Sequence, residues 1–500
     1  MSFRPFAFAA VLLATVCSGG PAADAASYGL AIGIDAYDDG KLAGAVADAK
    51  DIAAGLEAAG AAKVDLLTNA AAGREAVEAA WSDLLGQARY GDTIVLSFAG
   101  KGETDKNDPG EGGPQYRLGD GTALPRQTIL DWARAADEKG VKLLFIGDAS
   151  FAGGLERNYP KDLVVLRQST EKAGESSEPG ARPENGFGKA TFVYGAPIDK
   201  AVPELTIGDT LRGGLSWAFG RALSGAGVDL DRDGMLSDRE LATYLPLAVG
   251  ALTQGQQEVQ VLPRRSSPVA LLRAAPGGDE SPAEGALRLA VMGGEAAVIG
   301  AFPDVEIVDD PKQAELLWSV EDEMLTHRIG GVVASDIDAE GLENALAKWS
   351  ALDWLVSRSA LSPVAIDLVS GPGRLLQGAR AQLEILPGRY PMLTVFDLAP
   401  DGRVVPIMPG SPEMADKPQN RRHIHQMFQV GDGPDGALHR VVIFSDKPLT
   451  GLHRALAEMQ ETGKTQPLLT ALKDALPPDA QAQIGIFPIY TGPGDSSPAE

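Results

Sequence analysis

The chain has 500 residues, which is too long for one ordinary domain and indicates roughly two or three, since domains usually run about 100–200 residues. Hydrophobic residues make up 44% and charged residues 22%, so collagen-like, coiled-coil and wholly disordered chains are excluded. The 44 basic and 68 acidic residues leave a net charge of −24. An acidic chain repels phosphate backbones, so we expect no nucleic-acid partner and favour cations or basic protein segments.

Residues 1–25 have the pattern of a secretory signal peptide. Arg4 precedes an apolar stretch over residues 6–16, and small residues lead up to Ala25. We expect cleavage after Ala25 and a periplasmic or secreted mature chain. The alternative is a lipoprotein anchored through Cys17, which is disfavoured because a bulky valine precedes that cysteine. No later stretch is long enough for a transmembrane span.

Strand and helix signals alternate from residue 28 onward. Short apolar runs predict strands over residues 28–34, 63–67, 93–99 and 142–148. Between them, apolar residues recur every three or four positions, which predicts amphipathic helices. This alternation predicts a parallel sheet covered by helices on both faces, with its functional crevice at the carboxyl ends of the strands.

Two loops are predicted to leave strand ends at this crevice. One reads Gly100-Lys101-Gly102, and the other begins Asp148-Ala149-Ser150 and continues through a pair of glycines. Together with Ile32-Gly33-Ile34-Asp35-x-Tyr37 and with Ala47-Asp48-Ala49, these segments resemble the caspase and metacaspase-like family. The resemblance covers residues 27–275 and implies a caspase-like parallel sheet flanked by helices.

The resemblance also implies where peptidase chemistry would take place. Members of the family place a histidine between the glycines of the first loop and a cysteine after the Asp-Ala of the second. The matching positions here hold Lys101 and Ser150, and no histidine precedes His327. Without a thiol or an imidazole in this domain, the family's cysteine-protease mechanism cannot run.

Two interpretations of this altered pair stay open. In the first, the site is degenerate and non-catalytic, and a charged Lys101 pairs with Asp148. In the second, the chain is a hydrolase that uses Ser150 as nucleophile and a deprotonated Lys101 as base. We favour the first, because Asp148 and the acidic chain stabilise an ammonium. The resemblance further implies that Asp148 helps to hold a basic residue, so the expected partner is a protein or peptide with basic segments.

An EF-hand-type loop occupies residues 229–240. Calcium prefers about six to eight hard oxygen ligands, which alternating carboxylates on a tight loop supply. The predicted ligands, in order of loop position, are Asp229, Asp231, Asp233, the carbonyl of Met235, Ser237 and Glu240. We expect a structural Ca²⁺ here; the alternative is an acidic turn that caps the following helix without metal.

The second half of the chain changes in character. Proline and glycine in residues 276–285 predict a linker, and residues 286–358 predict a small α/β segment. Over residues 360–495, short strands broken by Gly and Pro predict a β-sandwich-like C-terminal domain. Asp401-Gly402 is typical of a hairpin turn between two of these strands.

Overall fold

The computed structural model describes most of the chain from Ala25 to Gly492. The described residues are 25–104, 114–150, 165–166, 183–196, 202–207, 210–224, 228–231, 233–264, 267–273, 286–293, 305–311, 313–327, 331–370, 374–376, 378–409, 424–429 and 433–492. Residues 1–24 of the predicted signal peptide and the whole predicted linker lie outside them.

The first half contains thirteen strands, five α-helices and two short 3-10 helices, Asn69–Ala71 and Pro183–Gly186, among its described residues. The strands are β1 (Ser27–Gly33), β2 (Lys63–Thr68), β3 (Thr93–Thr104), β4 (Pro114–Arg117), β5 (Ala123–Pro125), β6 (Lys142–Ser150), β7 (Val165–Leu166), β8 (Thr191–Tyr194), β9 (Pro203–Ile207), β10 (Thr210–Gly213), β11 (Met235–Ser237), β12 (Gln260–Leu262) and β13 (Ala270–Arg273). The helices are α1 (Ala45–Ala58), α2 (Arg74–Gln87), α3 (Arg126–Lys139), α4 (Gly214–Leu223) and α5 (Asp238–Thr253).

The central sheet runs in the order β12-β8-β6-β3-β1-β2. All neighbours are parallel except β12, which pairs antiparallel with β8. Alternate residues of each strand face opposite sides, so Leu96 and Phe98 enter the core cluster against α2 and α3, whereas Val95 enters the one against α1, α4 and α5. The predicted parallel sheet flanked by helices is therefore confirmed.

Two of the predicted strands are longer than their apolar runs. Strand β3 continues beyond residue 99 to Thr104 because its end pairs with β4, and β6 continues to Ser150. Lys101 and Ser150 thus lie in strands rather than in the loops that the sequence predicts. The extended pairing places Lys101 directly beside Ser150 in the parallel register.

The second half adds thirteen strands and three helices in the part that the structure describes. The strands are β14 (Leu287–Met292), β15 (Val305–Ile307), β16 (Leu316–Ser319), β17 (Met324–His327), β18 (Val332–Ala334), β19 (Ile366–Ser370), β20 (Arg374–Leu376), β21 (Arg380–Ile385), β22 (Met392–Leu398), β23 (Val404–Met408), β24 (Ile424–Gln429), β25 (Gly436–Ser445) and β26 (Ala482–Gly492). The helices are α6 (Ala339–Leu361), α7 (Thr450–Thr462) and α8 (Leu468–Ala475).

One 10-stranded sheet organises this second half. It joins strands of the predicted α/β segment to strands of the predicted C-terminal domain through β18 and β25, at the pair Ala334 and Gly436. Helices α6, α7 and α8 cover one face, on which Phe396 and Val441 are buried. The small sheet β19-β21-β24 covers the other face against Val395 and Val442, which gives that side a β-sandwich-like packing.

The two halves pack directly on each other through α5. Ala251 near the end of α5 forms a buried cluster with Ala437 and Tyr490, and Gly331 lies against its carbonyl so closely that a side chain there would clash. An ion pair between Arg264 and Asp367 adds a second contact, with Nη1 and Oδ2 2.9 Å apart. No helix in the described ranges has both the length and the apolar character needed to cross a membrane.

A buried ion pair supports the first half of the chain. Glu184 is fully buried and accepts hydrogen bonds from Arg126 and from the Tyr194 hydroxyl, the latter at 2.7 Å. Burial opposes the charge of Glu184, but the hydrogen bonds and the positive charge of Arg126 outweigh it and lower the pKa of Glu184. The pair therefore depends on both partners being present.

We expect Glu184→Ala to lower the free energy of unfolding by about 3 kcal/mol, because Arg126 would keep its charge in a largely buried position without a partner. Urea denaturation measures the effect. The matched control is Glu78→Ala, which removes an exposed pair with Arg74 and should cost less than about 1 kcal/mol. Equal losses in the two variants would contradict the assigned role of Glu184.

Candidate functional site

Lys101 and Ser150 sit side by side at the carboxyl edge of the central sheet. They are partners in the β3–β6 register, and both are buried, with 4% and 0% of their surface exposed. The structure thus brings together the two positions that the sequence selected. Their side chains nevertheless make different contacts.

Lys101 is directed toward Asp39. Its Nζ donates to Asp39 Oδ1 at 3.0 Å and lies 5.3 Å from the centre of the Tyr37 ring, and its backbone N–H donates to the Tyr37 hydroxyl at 2.9 Å. Gly40 has φ +127°, a conformation suited to glycine, and a Cβ atom there would lie 3.4 Å from Lys101 Nζ. The expected pairing of Lys101 with Asp148 is therefore replaced by a pairing with Asp39.

Asp39 belongs to a small charged network on the rim of the crevice. Arg117 Nη1 donates to Asp39 Oδ2, and Arg117 Nε lies 3.5 Å from Glu103 Oε2. Partial burial disfavours the charged form of Asp39, but hydrogen bonds from Lys101 and Arg117 outweigh it and lower its pKa. No local pattern marks Asp39, because its partners Lys101 and Arg117 are 62 and 78 residues away along the chain.

Ser150 has no such support. Its Oγ is buried and has no hydrogen-bond partner among the described residues. Lys101 Nζ makes no hydrogen bond to this hydroxyl and donates to Asp39 instead. A general base must lie within hydrogen-bond reach of the proton that it abstracts, so this geometry does not pair Ser150 with a base.

Asp148 and Asp48 hold the start of helix α4. Asp148 Oδ2 accepts the N–H of Ser216, the third residue of α4, at 2.8 Å, and Asp48 Oδ2 accepts the N–H of Gly213 at 2.9 Å. Backbone N–H groups in the first turn have no partner inside their helix, and the helix dipole favours negative charge there. Both carboxylates are buried, so they stabilise this junction from within.

Three further polar side chains lie in the region of Asp148. Ser150 Oγ, Ser216 Oγ and both amide atoms of Gln257 are buried without hydrogen-bond partners in the part of the chain that the structure describes. Gln257, only 2% exposed, is anchored by its backbone N–H, which donates to Thr253 Oγ1 at 3.1 Å. No sequence motif marks Gln257 or Ser216; only the fold brings them to Asp148.

Gln257 faces Asp148 across Gly195. A Cβ atom on Gly195 would lie 3.1 Å from Asp148 Oδ1 and 3.1 Å from Gln257 Nε2. A Cβ atom on Gly214 would lie 2.7 Å from Gln257 Oε1. A side chain on Gly195 would therefore crowd both the carboxylate and the amide, and one on Gly214 would clash with the amide oxygen.

The EF-hand-type loop over residues 229–240, called the acidic loop below, has part of the geometry that calcium requires. Asp229, Asp231 and Asp233 each bring one carboxylate oxygen to within 4.8 Å of the others. Oxygens on opposite sides of a calcium ion lie about 5 Å apart, because each is about 2.4 Å from the ion, so these three carboxylates fit. Gly234, with φ +82°, supplies the sharp turn.

Glu240 takes a different position from the three aspartates. It is buried, its Oε1 accepts the N–H of Leu230 at 2.7 Å, and its Oε2 accepts the N–H of Ser237 at 2.8 Å. Burial raises the pKa of Glu240, although the hydrogen bonds of these amides work against the rise. Ser237 in turn accepts the N–H of Glu240 and caps α5. For Glu240 to bind a metal, its carboxylate must leave these amides.

The loop is anchored by a strand from its own domain. Strand β11, which contains Met235 and Ser237, pairs antiparallel with β13, so that Leu236 lies opposite Leu272. Both leucines are buried in the core cluster beside α5. This strand pairing can therefore hold the shape of the loop without a second, paired EF-hand.

Comparisons with known proteins give structural neighbours only. No family model matches the chain, and no curated protein matches it. A Geobacter sulfurreducens protein aligns with 50% of this chain and 98% of its own, at 19% identity and a TM-score of 0.36. Caspase-1 from Spodoptera frugiperda aligns with 50% of this chain and 91% of its own, at 11% identity and a TM-score of 0.34. The Drosophila initiator caspase Dronc aligns with 47% and 78%, at 14% identity and a TM-score of 0.30. All three TM-scores are below 0.5, and all three identities are below 20%.

A double-mutant cycle between Asp39→Asn and Lys101→Met tests the Lys101 contact. We expect a coupling energy on the order of 1 kcal/mol in urea unfolding at pH 7. The folded-state pKa of Asp39 is lowered, so the coupling should persist as the pH falls to the ordinary aspartate range near ~4 and disappear only below it, when Asp39 becomes protonated in the folded protein. Additive effects of the two substitutions at pH 7 would show that the contact contributes nothing to the free energy of unfolding.

Proposed function

We propose that this chain is a caspase-like protein that binds a basic protein segment in its crevice and does not cleave peptides. The observation that carries the proposal is the set of buried polar groups around Asp148. Leaving a buried hydrogen-bonding group without a partner costs about 1–3 kcal/mol. Ser150, Ser216 and Gln257 all bear such groups, and a bound basic side chain would provide donors for them.

Charge and position favour a cation as the bound group. Asp148 and Asp48 place two carboxylates at this end of the sheet, and the chain as a whole carries a net charge of −24. The negative electrostatic potential of these charges attracts basic segments and raises their rate of encounter with the protein. Because Asp148 and Ser150 have no exposed surface, the crevice must open to admit a side chain, so association should be slower than ordinary protein encounter.

A hydrolase that uses Ser150 with Lys101 is the second candidate. Their adjacency in the β3–β6 register is the observation in its favour. The contact between Lys101 Nζ and Asp39 weighs against it, because Lys101 is then turned away from the proton that it would have to accept. We therefore place binding ahead of hydrolysis.

Export and a structural calcium ion complete the proposal. The basic, apolar and small-residue order of residues 1–25 supports secretion to the periplasm or the exterior, with cleavage after Ala25. Asp229, Asp231 and Asp233 would hold the ion, with Glu240 joining them once it releases its amide partners. Bound calcium would neutralise the closely spaced carboxylates of the loop that precedes β11 and α5.

Binding can be tested with a fluorescent peptide that contains a single arginine flanked by small residues. Fluorescence anisotropy should show saturable binding to the full chain, and Asp148→Asn should weaken it at least ~10-fold, because the charge is lost while an oxygen remains to accept the Ser216 N–H. The matched control is Asp83→Asn, an exposed aspartate beside Lys63 at the far edge of the sheet. Equal affinities for the wild type and Asp148→Asn would rule out this pocket.

Calcium binding can be tested by thermal unfolding after chelation. If calcium reaches about 100 times its Kd, the folded state gains about 2.7 kcal/mol, which corresponds to a rise in Tm of about 5 °C. The rise should be lost in Asp229→Ala and reduced in Glu240→Gln, whereas Asp309→Ala in the second half should retain it. An unchanged Tm in the wild-type protein at millimolar calcium would contradict the calcium site.

A further inference from the structure

The number of hydrogen-bond acceptors around Asp148 bears on which basic side chain the pocket takes. A guanidinium carries five N–H donors in a planar fork, whereas an ammonium carries three donors at a point. A buried donor without an acceptor costs free energy, so a guanidinium is favoured only where acceptors surround it. To prefer arginine, the pocket must therefore offer further hydrogen-bond acceptors in addition to a single carboxylate.

The described residues provide acceptors on several sides. Asp148 contributes its carboxylate, and Ser150 and Ser216 contribute hydroxyl oxygens that have no other partner in the structure's described ranges. Gln257 adds an amide that faces Asp148 from the other side of Gly195. A 180° flip of the Gln257 amide would exchange Nε2 and Oε1 and so present the oxygen to a cation held by Asp148.

Gln257 is also the one member of this group that comes from outside the strands and from outside α4. It follows α5 and is fixed there through Thr253, whose hydroxyl accepts the Gln257 N–H and donates to the carbonyl of Val249 at 2.7 Å. Burying both amide atoms of a glutamine without hydrogen-bond partners is unfavourable. A ligand that bonds to the amide would remove that cost.

We infer that Gln257 is a specificity-determining residue that makes the pocket select arginine over lysine. This inference rests on the proposed binding of a basic segment at Asp148. Gln257 would bond to the edge of the guanidinium that the carboxylate leaves exposed. A lysine ammonium, held by Asp148 and the two serines, would gain little from it.

The experiment compares two fluorescent peptides that differ only in carrying arginine or lysine at the central position. The wild-type chain should bind the arginine peptide ~10-fold more tightly. In Gln257→Leu the affinity for arginine should fall to that for lysine, while the affinity for lysine stays within ~2-fold. In Gln257→Glu the added carboxylate should strengthen lysine binding at least as much as arginine binding and so reduce the preference.

Gly195→Ala provides a second test that does not alter Gln257. Its methyl group would lie 3.1 Å from both Asp148 Oδ1 and Gln257 Nε2, so it should weaken arginine binding more than lysine binding. An arginine preference that survives in Gln257→Leu and in Gly195→Ala, with both variants folded by circular dichroism, would overturn the inference and leave binding at Asp148 intact. Failure of the wild-type chain to bind either peptide would overturn the proposed function, and the inference with it.

Discussion

Two buried carboxylates at the start of helix α4 are the constraint on which the crevice depends. Asp148 comes from the end of β6 and Asp48 from within α1, and together they accept the backbone N–H groups of Ser216 and Gly213. Since α4 packs along α1, these bonds fix the wall of the crevice relative to the sheet. The same acids that would attract a basic ligand therefore also hold the fold in place.

Helix α5 connects the acidic loop, the crevice and the second half of the chain. Its first turn contains Glu240 of the loop, and its last turn contains Thr253, which anchors Gln257. Between them, Ala251 packs against Ala437 and Tyr490 of the second half. The three regions thus share one helix, so a shift of α5 would displace contacts in all of them.

Local patterns in the sequence predicted the strands and the adjacency of their ends. The apolar runs located the four main strands, and the rule that parallel strands present their carboxyl ends together placed Lys101 near Ser150. Contacts between distant segments could not be predicted: nothing local to Asp39 or Gln257 indicates their partners. Helices α7 and α8 lie inside the range that the sequence predicts to be β-sandwich-like, although Leu452, Leu456 and Met459 have helical spacing.

The most direct measurement of the central claim is mass spectrometry of an arginine-containing peptide after prolonged incubation with the purified chain. If the crevice binds a basic side chain without a competent nucleophile, the peptide should be recovered intact at concentrations that saturate binding. Cleavage after arginine that disappears in Ser150→Ala would contradict the account, because it would show that the Ser150 hydroxyl attacks the peptide bond despite the Lys101 contact with Asp39.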